Sequence, residues 1–451
     1  MKKHIYHKLF TSISLFIITA CADNLDVRPE EGLLPGAVVS SAANLRSILI
    51  GAYDEAGQIS SYGGDINLAV ELIANTGELR WNGTFEEPAQ FNEKAIVADN
   101  FFVRDYWLNG FEVNNQVNIV LANLDRFEDA TERDRMEGES KFLRGLIMFD
   151  LARLFGQPFK TGQQNSGPAI PIVLDPVITT GSVTFPSRNT IDEVYQQAIQ
   201  DLNDAYALLP ASNSFFADRY AAQALLARLY LQQGNYAAAR DAANDVLTNS
   251  GHILATSFEE AFNNDSDSPE DIFTWQKNSQ DGVNSINNMN TYWSGQVFGG
   301  RAGNPDVSVE PLHFDIYDDP DDERRSFFYE NPGGTATTKW QSQFANIPFL
   351  RIAEMHLIRA ECNFRLGSAL GLDPLIEINA LRGRSGAAPL ITLDLNIILL
   401  ERRRELSFEG FTLHDIKRTQ GTVGSLAYDD NRLVLPIPQR ELDANPNLIP
   451  N

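Results

Sequence analysis

The sequence predicts a mostly α-helical protein in which helix pairs pack against a loop-rich region that carries a few short strands. Apolar residues recur every three or four positions between Tyr220 and Leu231, which is the period of one helix face. Gly234 then predicts a helix end, because glycine tolerates the left-handed conformation found there. Alanines recur along one side of the next run, from Ala239 to Ala243, so two antiparallel helices can approach closely. One helix pair cannot bury its own apolar face, and other pairs must therefore pack on it.

The hairpin predicted at residues 218–247 resembles one tetratricopeptide unit. It has small residues in its first helix, Gly-Asn-Tyr at the turn and alanines at the start of its second helix. The other helical segments before it are Ala43–Ala56, Asn100–Phe127, Thr131–Phe155 and Thr190–Leu209. Residues 78–85 form a polar, glycine-containing loop with a tryptophan, and residues 156–186 are rich in proline and glycine and predict a surface crossing.

Residues 1–20 have the pattern of a signal peptide. Three lysines lie among the first eight residues, and the apolar run from Leu9 to Ala20 is too short to span a bilayer. Cys21 follows a small residue, as in a lipoprotein processing site, although Ile18 and Thr19 depart from the preferred residues. The pattern predicts lipidation of Cys21 and a lipidated tether at residues 21–40. The alternative is an ordinary secretory signal followed by a chance cysteine.

Composition narrows the class of protein. The 451-residue chain has a formal charge of −24, and loss of the three lysines of the signal peptide leaves −27. So acidic a surface repels phosphate backbones, which argues against a nucleic-acid partner. Cys21 and Cys362 are the only cysteines, so lipidation of Cys21 leaves no intramolecular disulfide.

Residues 250–346 differ in character from the helical segments before them. Helical periodicity fades, the content of Asn, Asp, Ser and Gly rises, and aromatic residues occur singly. Loops this long on a helical body are usually functional. Helical periodicity returns at residues 347–361, 372–384 and 395–408. We therefore expect an N-terminal helical region at 41–270 and a C-terminal region at 271–451, with a loop-rich insertion at 271–346.

Motifs along the chain resemble the SusD/RagB family of outer-membrane glycan-binding lipoproteins. The segments that carry the resemblance are Cys21–Asp26, Glu139–Arg144 with Phe155–Pro158, Asp218–Ala222, Arg351–Glu354 with Ala360–Glu361, Asn379–Arg384, Glu401–Gly410, and Pro436–Pro438 with Glu441 and Asn445–Pro446. Their order and spacing extend over the whole chain. Phe411–Asp415 departs from the family, which usually has an arginine-containing helix start there. The chain is also short for the family, which predicts trimmed loops and a smaller glycan site.

The resemblance implies an α-helical fold with four repeat pairs packed on loop-rich structure, a SusD-like α-α superhelix. It also implies a position on the cell surface, over a SusC-like TonB-dependent β-barrel transporter in the outer membrane. Such proteins capture oligosaccharide and deliver it to the barrel without cleaving it, and no cofactor is expected. The alternative is the same architecture binding peptides rather than glycans. A third possibility is a glycoside hydrolase.

The candidate ligand-binding residues are Trp81, Asn82, Tyr292, Trp293 and Gln296. Sugar recognition needs flat apolar faces for the C–H side of the ring and polar groups for its hydroxyls. An aromatic residue on a polar loop with neighbouring amides supplies both. The alternative is that these rings pack back onto the body of the protein, as we expect for Trp107, Trp275 and Trp340.

Three glutamates, Glu401, Glu405 and Glu409, lie four positions apart on one predicted helix face and could be mistaken for an acid/base pair. The arginines at positions 402–404 predict a structural ion-pair network instead. Asp265–Asp267 resembles the start of a calcium loop, but the later positions of that loop lack the required glycine and glutamate. The histidines of the mature chain lie far apart in sequence, and no compact zinc motif is predicted.

Overall fold

The computed structural model describes residues 39–279, 289–299 and 305–451. The predicted signal peptide, the predicted lipidation site Cys21 and most of the predicted tether lie outside the described residues. Within them the protein is mostly α-helical and has a few short strands, which confirms the predicted fold class. No helix in these three ranges is long and apolar enough to cross a membrane.

The elements are numbered in chain order. The helices are α1 (Ala42–Ala56), α2 (Asp65–Ala74), α3 (Glu86–Glu93), α4 (Phe101–Leu121), α5 (Ala130–Phe155), α6 (Ile191–Leu208), α7 (Arg219–Gln233), α8 (Tyr236–Asn249), α9 (Asn290–Trp293), α10 (Glu323–Ser326), α11 (Ile352–Leu366), α12 (Pro374–Arg384), α13 (Leu395–Leu406), α14 (Thr412–Arg418) and α15 (Gln439–Ala444). The strands are β1 (Leu79–Trp81), β2 (Asp271–Trp275), β3 (Val307–Val309), β4 (Phe328–Asn331), β5 (Gly334–Thr337), β6 (Ile347–Arg351), β7 (Thr422–Val423) and β8 (Leu426–Ala427).

The predicted hairpin is formed by α7 and α8. The Asp218 carboxylate accepts a hydrogen bond from the Ala221 amide at 2.9 Å and caps the start of α7. Gly234 ends this helix in the left-handed conformation, with φ of 72°. Asn235 then caps α8 by accepting from the Ala238 amide. The buried alanines of α8 have no side chain beyond Cβ, so α8 packs closely on both α7 and α11.

The long helices form a row in which each contacts the next, in the order α1, α4, α5, α6, α7, α8, α11. Local sequence signals start several of them. The Asn100 side chain accepts from the Val103 amide at the start of α4, and Thr190 with Glu193 forms a capping box at the start of α6. The row buries the face that each pair leaves exposed, which is the packing that a single hairpin cannot supply.

The strands form one four-stranded sheet and two small pairs. The four-stranded sheet has the order β1-β3-β5-β4 with every neighbouring pair antiparallel. β2, which ends at Trp275, pairs with β6, and β7 pairs with β8. β1 lies inside the segment predicted as a loop, so the sheet connects that segment to residues more than 200 positions later.

A buried ion-pair cluster surrounds the end of α13 and confirms the predicted structural network. Glu401, Glu405 and Glu409 contribute carboxylates to it, as do Glu270 and Asp322, and most partners of the three glutamates come from other elements. The cations that pair with them are Arg324, Lys339, Arg351, Arg382, Arg384 and Arg404. Only Arg404 belongs to the arginine run at 402–404. Arg402 pairs with Asp415 and Arg403 with Glu78, because helix periodicity directs these side chains to other neighbours.

The pKa of Glu405 reflects this surrounding charge. Burial acts to raise it, but the guanidinium groups of Arg384, Arg351 and Arg324 outweigh burial and hold the pKa well below its usual range. Glu405 therefore stays ionised in the folded protein. Its contribution to stability is present above the pKa of the unfolded carboxyl and is lost as the pH falls below that value.

Replacing Glu405 with glutamine is expected to lower the free energy of unfolding by about 3–5 kcal/mol, because it removes the carboxylate that three buried guanidinium groups share. Urea unfolding followed by tryptophan fluorescence measures the loss. Asp430→Asn, in the exposed pair with Arg432, is the control and should not shift the unfolding midpoint measurably. Equal shifts in the two variants would contradict a structural role for the cluster.

Candidate functional site

The four-stranded sheet places the segment after α2 beside residues 305–337. Leu79 pairs with Val309 and Trp81 with Val307, and the ladder continues from Val309 to Thr335 on β5. Successive side chains of a strand point to opposite faces. The register therefore divides the side chains of all four strands into an inner face and an outer face.

The inner face belongs to the core. Leu79, Val307 and Val309 are buried on it, and Trp81 shares this face. The Trp81 ring is half-buried and its Nε1 donates to the Phe85 carbonyl at 3.2 Å. Gly83 lies directly against the ring, since a Cβ at this position would be 2.2 Å from it. These contacts give the Trp81 ring a structural role in shaping its own loop.

Tyr292 and Trp293 are not exposed, and the prediction that their rings face a ligand is wrong. Tyr292 is 3% exposed and Trp293 is fully buried. Both belong to α9, a single turn that packs into the body. The Trp293 ring lies 5.3 Å from that of Phe408, and the Tyr292 hydroxyl donates to Asp65 Oδ1 at 2.7 Å. Polar residues close to them in sequence form hydrogen bonds with backbone groups. The Asn290 amide, for example, donates to the carbonyl of Gln341.

The outer face is polar, and we call it the polar sheet face. Its polar side chains are those of Arg80, Asn82, Ser308, Tyr329 and Asn331, and it also carries Ala336. Ser308 and Ala336, on the two central strands, are fully buried. Asn82 Nδ2 donates to Ser308 Oγ at 2.9 Å and to the Pro305 carbonyl at 3.2 Å. The exposed Arg80 extends over Ser308 towards the β4–β5 turn, where it donates to the Gly333 carbonyl at 3.3 Å.

Gly334 is required for this arrangement. Its φ is +136°, a conformation that side-chain-bearing residues rarely adopt. A Cβ at this position would also lie 2.8 Å from the Ser308 Cβ and 3.3 Å from an Arg80 terminal nitrogen. The absence of a side chain therefore lets Arg80 lie flat across the strands.

The turn at residues 296–298 borders the polar sheet face. Gln296, Val297 and Phe298 are all exposed on it. The Phe298 ring meets that of Tyr329 edge to face, at 5.0 Å between centroids, and the Tyr329 hydroxyl accepts from the Gly295 amide at 2.8 Å. An exposed aromatic ring thus lies beside the exposed amide side chain of Gln296 and the polar strands.

Of the five predicted residues, Asn82 lies on the polar sheet face and Gln296 lies on the turn that borders it at β4, and the candidate site adds three residues that the sequence analysis did not choose. These are Arg80, Phe298 and Tyr329. The sequence could have indicated Arg80 through its position next to Trp81. Neighbouring side chains of a strand point to opposite faces, so if the Trp81 ring faces the core, Arg80 faces outward. Phe298 precedes two glycines, a sequence typical of an exposed turn.

Other ring-lined hollows occur on the described surface. One of about 400 Å³ lies between α4, the crossing at 171–186 and α15, with Trp107, Phe111 and Phe185 in its walls. Its remaining walls combine aliphatic residues with polar ones that include Asn114, Asn115 and Asn445. Trp107, Trp275 and Trp340 are buried, as predicted.

Asp65 is a buried carboxyl group beneath the candidate site, in the first turn of α2. Burial raises the pKa of Asp65 to about 8, although the hydrogen bond from Tyr292 opposes this shift. The carboxyl group is therefore mostly protonated at neutral pH. A neutral Asp65 can remain in the core beneath α9 without a cationic partner.

Comparison with known proteins agrees with this architecture. A family model described as "Starch-binding associating with outer membrane" matches residues 23–231, and one described as "SusD family" matches residues 216–432. SusD-like protein P2 of Formosa agariphila is 25% identical to the chain, over 100% of this chain and 99% of its own length.

Solved structures of similar fold include a SusD superfamily protein from Bacteroides thetaiotaomicron, with a TM-score of 0.80, 24% identity and coverage of 91% of this chain and 99% of its own. A SusD-like carbohydrate binding protein from Bacteroides vulgatus has a TM-score of 0.77 and 21% identity, covering 90% and 97%. The fold is therefore that of the SusD superfamily. The chain belongs to the SusD/RagB family, as the sequence motifs indicated.

Asp65→Asn is expected to remove part of the pH dependence of stability. The unfolded carboxyl ionises near pH 3.9, whereas the folded one keeps its proton to about pH 8. The folded state binds the extra proton between these values, so this group destabilises the fold as the pH rises, by at most about 1.4 kcal/mol per pH unit. The advantage of the variant over the natural protein should therefore grow between about pH 5 and pH 8.

Urea unfolding at several pH values in this range measures the difference. Asp54→Asn, an exposed carboxylate on α1, is the control and should show a constant difference. A pH-independent difference for Asp65→Asn would contradict the raised pKa.

Proposed function

We propose that this protein is a lipoprotein of the outer membrane, anchored through Cys21 and exposed at the cell surface. It binds oligosaccharide and passes it to a SusC-like TonB-dependent transporter. One observation carries the binding part of the proposal: the polar sheet face lies beside the exposed ring of Phe298. Family membership supports the remaining parts.

The chemistry of the polar sheet face suits a sugar. The Phe298 ring offers an apolar surface to the C–H side of a pyranose, and Gln296 offers an amide with both donor and acceptor atoms. The Tyr329 hydroxyl, which accepts from Gly295, keeps its own proton to donate. Because the polar groups stand on paired strands, they are held in place before a ligand arrives, which lowers the entropy cost of binding.

The relatives support a carbohydrate rather than another ligand. One matching family model is described by starch binding and association with the outer membrane, and one solved relative is named a carbohydrate binding protein. We propose that binding occurs without catalysis. The three glutamates of the α13 region that stand at helical spacing are engaged in buried ion pairs, so they are not available as an acid/base pair.

Phe298→Ala is expected to weaken oligosaccharide binding about tenfold, because the ring supplies the apolar contact of the site. Gln296→Ala should weaken it by a smaller factor, since it removes hydrogen bonds that water can replace in part. Isothermal titration calorimetry against a panel of oligosaccharides measures both. Phe215→Ala is the matched control, an exposed ring that packs on Phe216 before α7, and its affinity should be unchanged.

The same panel separates the ligand classes. Peptides of varied charge are titrated beside the glycans. If peptides bind tightly and no glycan binds, the proposed oligosaccharide ligand is wrong and the protein is a peptide-binding member of the family. Equal losses in Phe298→Ala and Phe215→Ala would place the site elsewhere on the surface.

A further inference from the structure

The polar sheet face carries an ion pair within reach of a bound ligand. Glu310 follows β3, two positions after Ser308, so strand alternation directs its side chain to the same face as Arg80. Its Oε1 lies 3.0 Å from Arg80 Nε. The Glu310 amide donates to the Glu78 carbonyl at 2.8 Å, which extends the ladder and holds the backbone of Glu310 beside β1.

The charge balance of this face is negative. Arg80 is the single cation among the described side chains that strand alternation assigns to the face. Strand alternation assigns three carboxylates to the same face, those of Glu310, Glu78 and Asp306. Glu310 pairs with Arg80, Glu78 pairs with Arg403, and Asp306 is buried. The Arg80 guanidinium is engaged on two sides, by Glu310 at 3.0 Å and by the Gly333 carbonyl at 3.3 Å. An arginine that by itself would attract an anion is therefore already neutralised.

We propose that Glu310 makes the polar sheet face selective for neutral oligosaccharides over those that bear carboxylate or sulfate groups. This inference rests on the proposed function and names the class of its ligand. A sugar hydroxyl can donate to the Glu310 carboxylate and accept from the Arg80 guanidinium. A neutral sugar can therefore bind while the Arg80–Glu310 ion pair stays intact.

An anionic sugar would have to break the Arg80–Glu310 ion pair. To reach Arg80 it must displace Glu310, and the displaced carboxylate then stays close to the new negative charge. The exposed Arg80–Glu310 pair is weak enough to open, so the barrier is repulsion rather than the strength of the pair. This repulsion acts within a few ångströms, well inside the Debye length of about 8–10 Å, so it persists at physiological salt.

The test uses paired probes that differ only at the sugar C6 position. Neutral oligomers of galactose, mannose and glucose are compared with the corresponding uronic acid oligomers of the same linkage by isothermal titration calorimetry. The natural protein should bind the neutral member of a pair more tightly. Glu310→Gln keeps the shape and hydrogen-bonding capacity of the side chain but removes its charge. It should raise the affinity for the uronate member about fivefold, with little change for the neutral member.

Glu330→Gln is the matched control. Glu330 lies on β4 with its side chain on the opposite face, where it accepts from the Thr335 hydroxyl at 2.9 Å. The variant changes the net charge by the same amount, so it should leave the ratio of the two affinities as it is in the natural protein.

Three results would overturn the inference. Tighter binding of the uronate members by the natural protein overturns the selectivity and leaves the proposed function standing. If Glu310→Gln and Glu330→Gln raise the affinity for the uronate members equally, the selectivity comes from the overall charge of the protein and not from Glu310. Absence of binding to every oligomer of both series overturns the proposed function, and this inference with it.

Discussion

Antiparallel pairing between β1 and β3 is the constraint on which the candidate site depends. It joins Leu79–Trp81 to Val307–Val309, across more than 200 residues of chain. Because side chains alternate along a strand, one register decides which of them reach solvent. A slip of one residue would turn Trp81 outward and bury the Arg80 guanidinium. The burial of Val307 and Val309 against the core stabilises the observed register.

Behind the sheet, a few residues connect the helical row to the strands. Phe408 is one of them, at the junction after α13. Its carbonyl accepts from Trp340 Nε1 at 2.9 Å and from Asn67 Nδ2 at 2.8 Å, while its ring packs on Trp293. Its φ of 67° is unusual for a bulky residue, so these contacts must hold a backbone conformation that is unfavourable on its own. The buried ion-pair cluster lies next to it, and the site therefore stands on a rigid base.

A rigid base has a consequence for binding. From β1 to β4 the sheet spans three strand spacings, or about 14 Å. Because Ser308 and Ala336 on the central strands are buried, the groups that a ligand can reach lie towards the two edges. Groups on paired strands lose little freedom when a ligand binds, so shallow contacts can suffice. The Arg80–Glu310 pair and the ring of Phe298 lie towards opposite edges of this surface, the pair at β1 and β3 and the ring at β4.

Local patterns in the sequence were enough to predict the long helices, the hairpin and the structural role of the glutamates near the end of α13. They did not predict the shorter helices α2 and α3, and they extended a helix over Ile347–Arg351, which is strand β6. Periodicity, caps such as Asp218 and stops such as Gly234 act within a few residues, so their physics is contained in a short segment. The family motifs are likewise short segments, so they could be recognised without the structure. Asn82 and Gln296 stay predicted ligand-binding residues, and both lie at the candidate site.

The direction of the aromatic rings depends on tertiary packing and could not be predicted from the sequence. Trp293 lies in a polar stretch, yet its ring is buried against Phe408, more than 100 residues away in sequence. Arg80 and Phe298 reach the candidate site through strand pairing and a turn that no local pattern specifies. Whether a ring is covered depends on what the rest of the chain places against it. Burial is a property of the packed molecule, whereas helix periodicity is a property of the segment.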